Sequence, residues 1–234
     1  MAESQLGPNG ALVKATELLL ESHYEDLVKE ISNLEGWKDS YFLFDLPGQV
    51  ELFTNYSLFS QLISKLESDL EFRFALVNLT DCTVCLDATK YISSLVLTVK
   101  TMLNFDCIPC VNLFSKFDLL PLEQLAMPIE FYLQANDLQT HLPHLLEAQT
   151  NPKFGKLNGL LCELVEDFGI VGFVPVAAED AQCMAFVLRE IDRANGFAYA
   201  SLAFNDSILQ VHCAVGLEED YLELLKDRYS VNKD

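Results

Sequence analysis

Four short apolar runs, at residues 41–45, 73–79, 108–114 and 170–176, constrain this chain more than any other feature. Each is followed by a polar or Gly/Pro turn and then by a stretch with helical spacing, the pattern of fully buried strands between helices. Residues 50–66 repeat apolar side chains at Leu52, Leu58, Phe59, Leu62, Ile63 and Leu66, and residues 91–102 do so at Ile92, Leu95, Val96, Val99 and Met102. Strands alternating with helices are βαβ units, and these build a parallel sheet covered by helices on both faces. The expected class is α/β. At 234 residues and 50% hydrophobic content, one large core and one domain follow.

Residues 127–154 break the alternation. They hold Pro128, Pro143 and Pro152, and read as a helical insertion made of short segments. A single helix resumes over 157–168, the last strand follows Gly169, and a helix over 179–194 stops at Asn195-Gly196. The organisation expected is one domain over 1–196 and a tail over 197–234, whose clearest feature is an amphipathic patch at 217–225.

Charge excludes some classes of partner. Fifteen Lys and Arg stand against 35 Asp and Glu, a formal net charge of −20. Phosphate backbones and anionic membrane surfaces are gripped by Lys and Arg, so no direct nucleic-acid or membrane partner is expected. No stretch reaches the roughly 20 apolar residues of a membrane span, and no secretory signal is visible at the start. Seven cysteines, an odd number, argue against a disulfide scaffold and for a reducing compartment. The expected location is intracellular, in the cytoplasm.

In an open parallel sheet, ligands sit beyond the carboxyl ends of the strands. The first run ends Phe44-Asp45-Leu46-Pro47-Gly48-Gln49. Asp45 there suits a magnesium-bound water, since Mg²⁺ takes hard oxygen ligands and keeps part of its hydration. Gly48 lets a backbone N–H approach a terminal phosphate, and Gln49 suits the orientation of an attacking water. A strand-ending Asp before a Pro-Gly turn is also a common structural device.

The third run ends Phe114-Ser115-Lys116-Phe117-Asp118. A carboxylate at Asp118 can accept from both guanine N1–H and the 2-amino group, a donor pair that adenine lacks. The Lys116 stem can cover the base while its ammonium stays solvated. The plainer alternative is a strand-to-helix turn with Asp118 as a cap. Near the front, Gly7-Pro8-Asn9-Gly10 precedes a helical run, with Asn9 placed to cap it.

Together and in this order, Gly7-Pro8-Asn9, Asp45-Leu46-Pro47-Gly48-Gln49-Val50-Glu51-Leu52 and Ser115-Lys116-Phe117-Asp118 resemble the motifs of the GPN-loop GTPases. The resemblance covers nearly the whole chain, and Asp192-Arg193-Ala194-Asn195-Gly196-Phe197 points to one paralogue group within that family. It implies a P-loop NTPase-like fold and hydrolysis of GTP with Mg²⁺ in a dimer, another GPN-loop GTPase being favoured over self as partner. It further implies a role in assembling RNA polymerase II, with polymerase III as an extension, and in localising it to the nucleus, with this chain shuttling there from the cytoplasm. Carried over, Gly7, Pro8 and Asn9 form the loop that reaches the partner's site. Asn9, Asp45 and Gln49 serve catalysis, with Asp45 on magnesium through a water. Gly48, Ser115, Lys116, Phe117, Asp118 and the backbone of Ala177 bind GTP.

The chain departs from that pattern in two places. Ser115 stands where many GTPases have Asn, and no G-x-x-x-x-G-K-[ST] phosphate loop occurs. The one Gly-Lys pair, Gly155-Lys156, is followed by Leu157 and has Thr150 where the first glycine belongs. The expectation is a domain lacking its N-terminal strand, phosphate loop and helix. A non-catalytic paralogue that dimerises or binds polymerase-assembly factors is the rival reading. Cys82-x-x-Cys85 and Cys107-x-x-Cys110 mimic a zinc ribbon, but a long amphipathic helix separates them, and no zinc is expected.

Overall fold

The computed structural model describes residues 7–54, 56–105, 108–149, 151–198 and 217–230. They fall into two compact units, Met1–Phe74 and Ala75–Asp234. In the first, α1 (Pro8–Leu18) passes through a π-helical turn (Leu19–His23) into α2 (Tyr24–Ser32). α3 (Val50–Thr54) and α4 (Leu58–Leu70) follow. The N-cap of α1 is Gly7, and Pro8 occupies the first helical position, where its fixed φ suits the helix and its missing N–H is not needed. Asn9 is therefore inside the first turn and is not the cap expected from the sequence. α4 buries Phe59, Leu62, Leu66 and Leu70 at helical spacing, and Tyr24 ties α2 to it by donating to Asp69 at 2.7 Å.

Residues 41–45 are not the buried strand that their apolar run predicts. They join no ladder, and Leu43 is 89% exposed. Phe42 and Phe44 meet Phe72 and Phe74 through their rings, at 5.3 Å for Phe42–Phe72 and 5.7 Å for Phe44–Phe74. A strand needs a neighbouring backbone to complete its hydrogen bonds, whereas ring packing satisfies the side chains alone. The expected helix over 50–66 is also two helices. Ser57 opens the second, its carbonyl accepting from Gln61 N–H at 3.0 Å and its hydroxyl from the Gln61 side chain at 2.9 Å.

The second unit is an α/β assembly on a parallel sheet of β1 (Leu76–Asp81), β2 (Cys110–Ser115) and β3 (Val174–Pro175), in that order. Register pairs Leu76 with Cys110 through Asp81 with Ser115, and Leu113 with Val174. Between the strands lie α5 (Ala88–Asn104), α6 (Ile129–Gln134), α7 (Leu138–Gln149) and α8 (Gly155–Phe168). After β3 come α9 (Ala181–Ala194) and α10 (Leu217–Ser230). Asp87 caps α5 by accepting from the N–H groups of Thr89 and Lys90, and the helix buries Tyr91, Ile92, Leu95 and Val99. α7 buries Leu138, Leu142 and Leu146, every fourth residue. Gly169 ends α8 at φ 67°, a left-handed cap that favours glycine.

β3 is shorter than the run over 170–176. Phe173 N–H donates to Leu133 O at 2.8 Å and Gly172 O accepts from the Asn112 side chain at 3.3 Å, so these backbone groups are used outside the ladder. Pro175 has no N–H to offer. The core still closes across the sheet, with Phe114 stacked on Phe173 at 3.9 Å and 6°.

Candidate functional site

At the carboxyl end of β2 the chain turns sharply. Lys116 takes φ 60° and ψ 37°, a left-handed conformation uncommon for a residue with a Cβ. Several contacts hold it there. The Cys82 thiol donates to Lys116 O at 3.1 Å, Ser115 Oγ donates to Thr80 O at 3.1 Å, and Phe117 N–H donates to Val176 O at 3.1 Å. Phe117 is fully buried, which leaves Asp118 exposed one residue later. Burial and the neighbouring Asp81 and Asp118 carboxylates push the Cys82 thiol up to about 12, so it serves as a neutral donor.

The Lys116 ammonium meets Asp81 Oδ2 at 2.6 Å. That hydrogen bond holds the Asp81 carboxyl below its ordinary value and the ammonium above its own. Asp81 also accepts from Thr83 N–H at 3.0 Å and Thr83 Oγ at 2.7 Å, capping the turn Cys82–Leu86. Sequence reading missed this partner, because the expected strand stopped at residue 79, short of Asp81. The Asp81-x-Thr83 cap was the available signal.

Asp118 and Ala177 line one open depression of about 440 Å³, together with Asp180, Arg228 and Tyr229. Ala177 is buried in the turn after β3, and its carbonyl accepts from Asp180 N–H at 3.1 Å. The two carboxylates differ. Burial raises the Asp180 carboxyl, but hydrogen bonds from Arg228 and from Gln182 N–H outweigh it and leave the group below its ordinary value. Among the described residues no group hydrogen-bonds to the Asp118 carboxylate, which stays available to a ligand. Arg228 and Tyr229 had no periodic cue in the sequence, since their partner Asp180 lies 48 and 49 residues away.

Asp45, Gly48 and Gln49 belong to the first unit. Asp45 is exposed and lies in an irregular segment, not at the end of a strand. Nothing stands within 4 Å of where a Cβ would sit on Gly48. Gln49 N–H donates to Pro47 O at 2.8 Å, while Gln49 Oε1 is buried with no hydrogen-bond partner among the described residues. Such an orphan acceptor is what a site for an ordered water or a ligand leaves behind when described alone. Gly7 and Pro8 open α1, and the Asn9 side chain lies outside the described residues. Hence Ser115, Lys116, Phe117, Asp118 and Ala177 come together in one unit, and Asp45, Gly48 and Gln49 form a second group in the other.

Cys82 and Cys85 are buried free thiols and Cys110 is half-buried, while Cys107 lies outside the described residues. Among the described residues no cluster of three or more His, Cys, Asp or Glu is placed to hold a metal ion. A single exposed oxygen ligand such as Asp45 fits a cation held mainly by water and substrate oxygens.

The helix-covered parallel sheet, with Asp118 and Ala177 in the turns beyond the carboxyl ends of its strands, is an α/β arrangement consistent with a P-loop NTPase-like fold. The family described as "conserved hypothetical ATP binding protein" matches residues 1–197. GPN-loop GTPase 2 of Schizosaccharomyces pombe is 44% identical over 197 residues, covering 84% of this chain and 61% of that protein. Its namesake in Saccharomyces cerevisiae is 36% identical over 86% of this chain and 58% of its own length. GPN-loop GTPase 2 of Danio rerio is 35% identical over 95% of this chain and 73% of its own. The chain belongs to the GPN-loop GTPase family, and spans about six tenths of the length of the two yeast relatives.

Proposed function

We propose that this chain acts as a guanine-nucleotide protein of the GPN-loop type, reading the base with Asp118 and serving GTP hydrolysis within a dimer. The observation that carries the reading is the Asp118 carboxylate, without a hydrogen-bond partner among the described residues, in the depression it shares with Ala177, beside an Asp180 that already accepts from Gln182, Arg228 and Tyr229. A carboxylate free to accept two hydrogen bonds selects guanine, because adenine would leave it unpaired. The family description names ATP, and the relatives are named GTPases; the chemistry of Asp118 supports the second. On this reading Asp45 would hold Mg²⁺ through a water, and the ion supplies charge neutralisation at the phosphates. Gln49 orients the attacking water with its Oε1, the acceptor left orphaned among the described residues.

The partner is a second GPN-loop GTPase, met by the loop of Gly7, Pro8 and Asn9, and the cellular role is assembly and nuclear localisation of RNA polymerase II. The support is family membership. The test is equilibrium binding of GTP and ATP, with magnesium, to the monodisperse chain and to its complex with a second GPN-loop GTPase. GTP should be preferred by at least about a hundredfold, with turnover in the complex. Equal affinity for the two nucleotides would refute the base assignment. Binding without turnover would favour the non-catalytic interaction protein.

A further inference from the structure

Residues 217–230 lie beyond the segment that the family description matches, yet they form a wall of the candidate base site. α10 is seated firmly on this unit. Leu225 is fully buried, Tyr221 stacks on Phe186 at 3.8 Å and 7°, and Tyr221 O–H donates to Pro175 O on β3 at 2.7 Å. Its last turn then carries two side chains into the depression beside Asp118.

Arg228 is committed there to protein partners. One guanidinium nitrogen pairs with Asp180 and the other donates to Gln182 Oε1 at 2.9 Å. Tyr229 donates to the same Asp180 carboxylate at 3.3 Å, and its ring meets Phe117 edge-on at 6.2 Å and 78°. Phe117 lies between Lys116 and Asp118, so α10 touches the base-reading turn itself.

We propose that α10 is the outer wall of the base site, with Tyr229 as a positioning residue that lies against the purine and the Arg228–Asp180 pair as the latch that fixes it. This rests on the reading of the depression as a guanine site. The division of labour is chemical. Asp118 accepts from the base edge, and an aromatic face offers the stacking that any purine gains from. Because Arg228 is tied at both ends of its fork, it fixes the wall and leaves the Asp118 carboxylate unpaired.

The test is a chemical-shift titration of the full chain with guanosine and with adenosine, for wild type, Tyr229→Ala, Tyr229→Phe, Tyr229→Leu and Asp118→Asn. Circular dichroism checks that each variant is folded. Tyr229→Ala and Tyr229→Leu should weaken guanosine roughly ten- to a hundredfold, while Tyr229→Phe, which keeps the ring, should stay within about threefold of wild type. Leucine keeps apolar packing on Phe117 without a π-face, so the contrast between Leu and Phe separates stacking from folding. A nuclear Overhauser contact between guanosine H8 and the Tyr229 ring is expected in wild type. If the Tyr229 variants bind guanosine as wild type does while Asp118→Asn loses it, α10 is no part of the site and the base assignment survives. If wild type shows no preference for guanosine, or Asp118→Asn changes nothing, the guanine site itself is wrong and this proposal falls with it.

Discussion

Gln49→Met should stabilise the first unit while removing the group proposed to orient water. Gln49 Oε1 is buried and has no partner among the described residues. A buried acceptor left unsatisfied costs about 1–3 kcal/mol, and replacing it by an apolar group of similar shape relieves that cost. Gln49 as a whole is only half-buried, so the lower end, about 1 kcal/mol, is the figure to expect. Methionine has the same length and flexibility and adds no volume that the site would reject. The assay has a built-in local probe: Trp37, the one tryptophan of the chain, lies in the same unit with its ring 6.1 Å from Phe72. At a slope of about 1–2 kcal/mol/M in urea, the fluorescence midpoint should rise by about 0.5–1 M. On the proposed function, GTP turnover in a complex with a second GPN-loop GTPase should fall in the same variant, the trade expected where a site carries unsatisfied groups. A midpoint that falls would mean that Gln49 Oε1 is already paired, by a protein group or a bound water, in the nucleotide-free chain.

Asp180 gives a pH dependence. Its folded value lies below the ordinary one, so its stabilisation of α10 is fully present above about pH 4 and is lost as pH falls through the depressed value. Asp180→Asn should reduce that acid-side loss, leaving the part carried by the Glu130–Lys226 pair that also holds α10, as read by proteolysis of α10 between pH 6 and pH 3; an unchanged profile would discount the latch. Cys82, with its thiol pushed up to about 12 by burial, should resist alkylation at pH 8 in native protein and react only after unfolding, as mass spectrometry of the modified peptides would show. Rapid native labelling would mean that the turn Cys82–Leu86 opens readily. Asn9→Ala in a mixed complex should lower turnover more than nucleotide affinity; equal losses would remove the catalytic role given to Asn9.

Local periodicity made α5, α8 and α9 legible in advance, because α5 and α9 bury residues three and four apart, α8 buries Cys162 and Val165 three apart, and each helix is closed by a nearby turn or cap. The same rule failed for residues 41–45. Phe42, Leu43 and Phe44 carry the composition of a buried strand, but a ladder partner is a non-local fact, and their aromatic neighbours at Phe72 and Phe74 replace one. The turn at Lys116 and Asp118 was legible as chemistry, while its stabilisation was not. Lys116 meets Asp81 because register sets Asp81 opposite Ser115, and no short window of sequence contains that pairing. Arg228 and Tyr229 were hidden for the same reason on a longer scale. Their partner sits across α9 in sequence, and only the docking of α10 brings them to Asp180.

Whether Asp118 reads guanine is decided by a competition between guanosine and xanthosine for the wild-type chain and for Asp118→Asn. Xanthine presents a 2-oxo group where guanine presents a 2-amino donor. An amide at 118 can therefore pair with xanthine and cannot accept from both guanine donors. Wild type should prefer guanosine, and Asp118→Asn should prefer xanthosine, each by about tenfold or more. An Asp118→Asn chain that keeps the wild-type preference for guanosine would contradict the account.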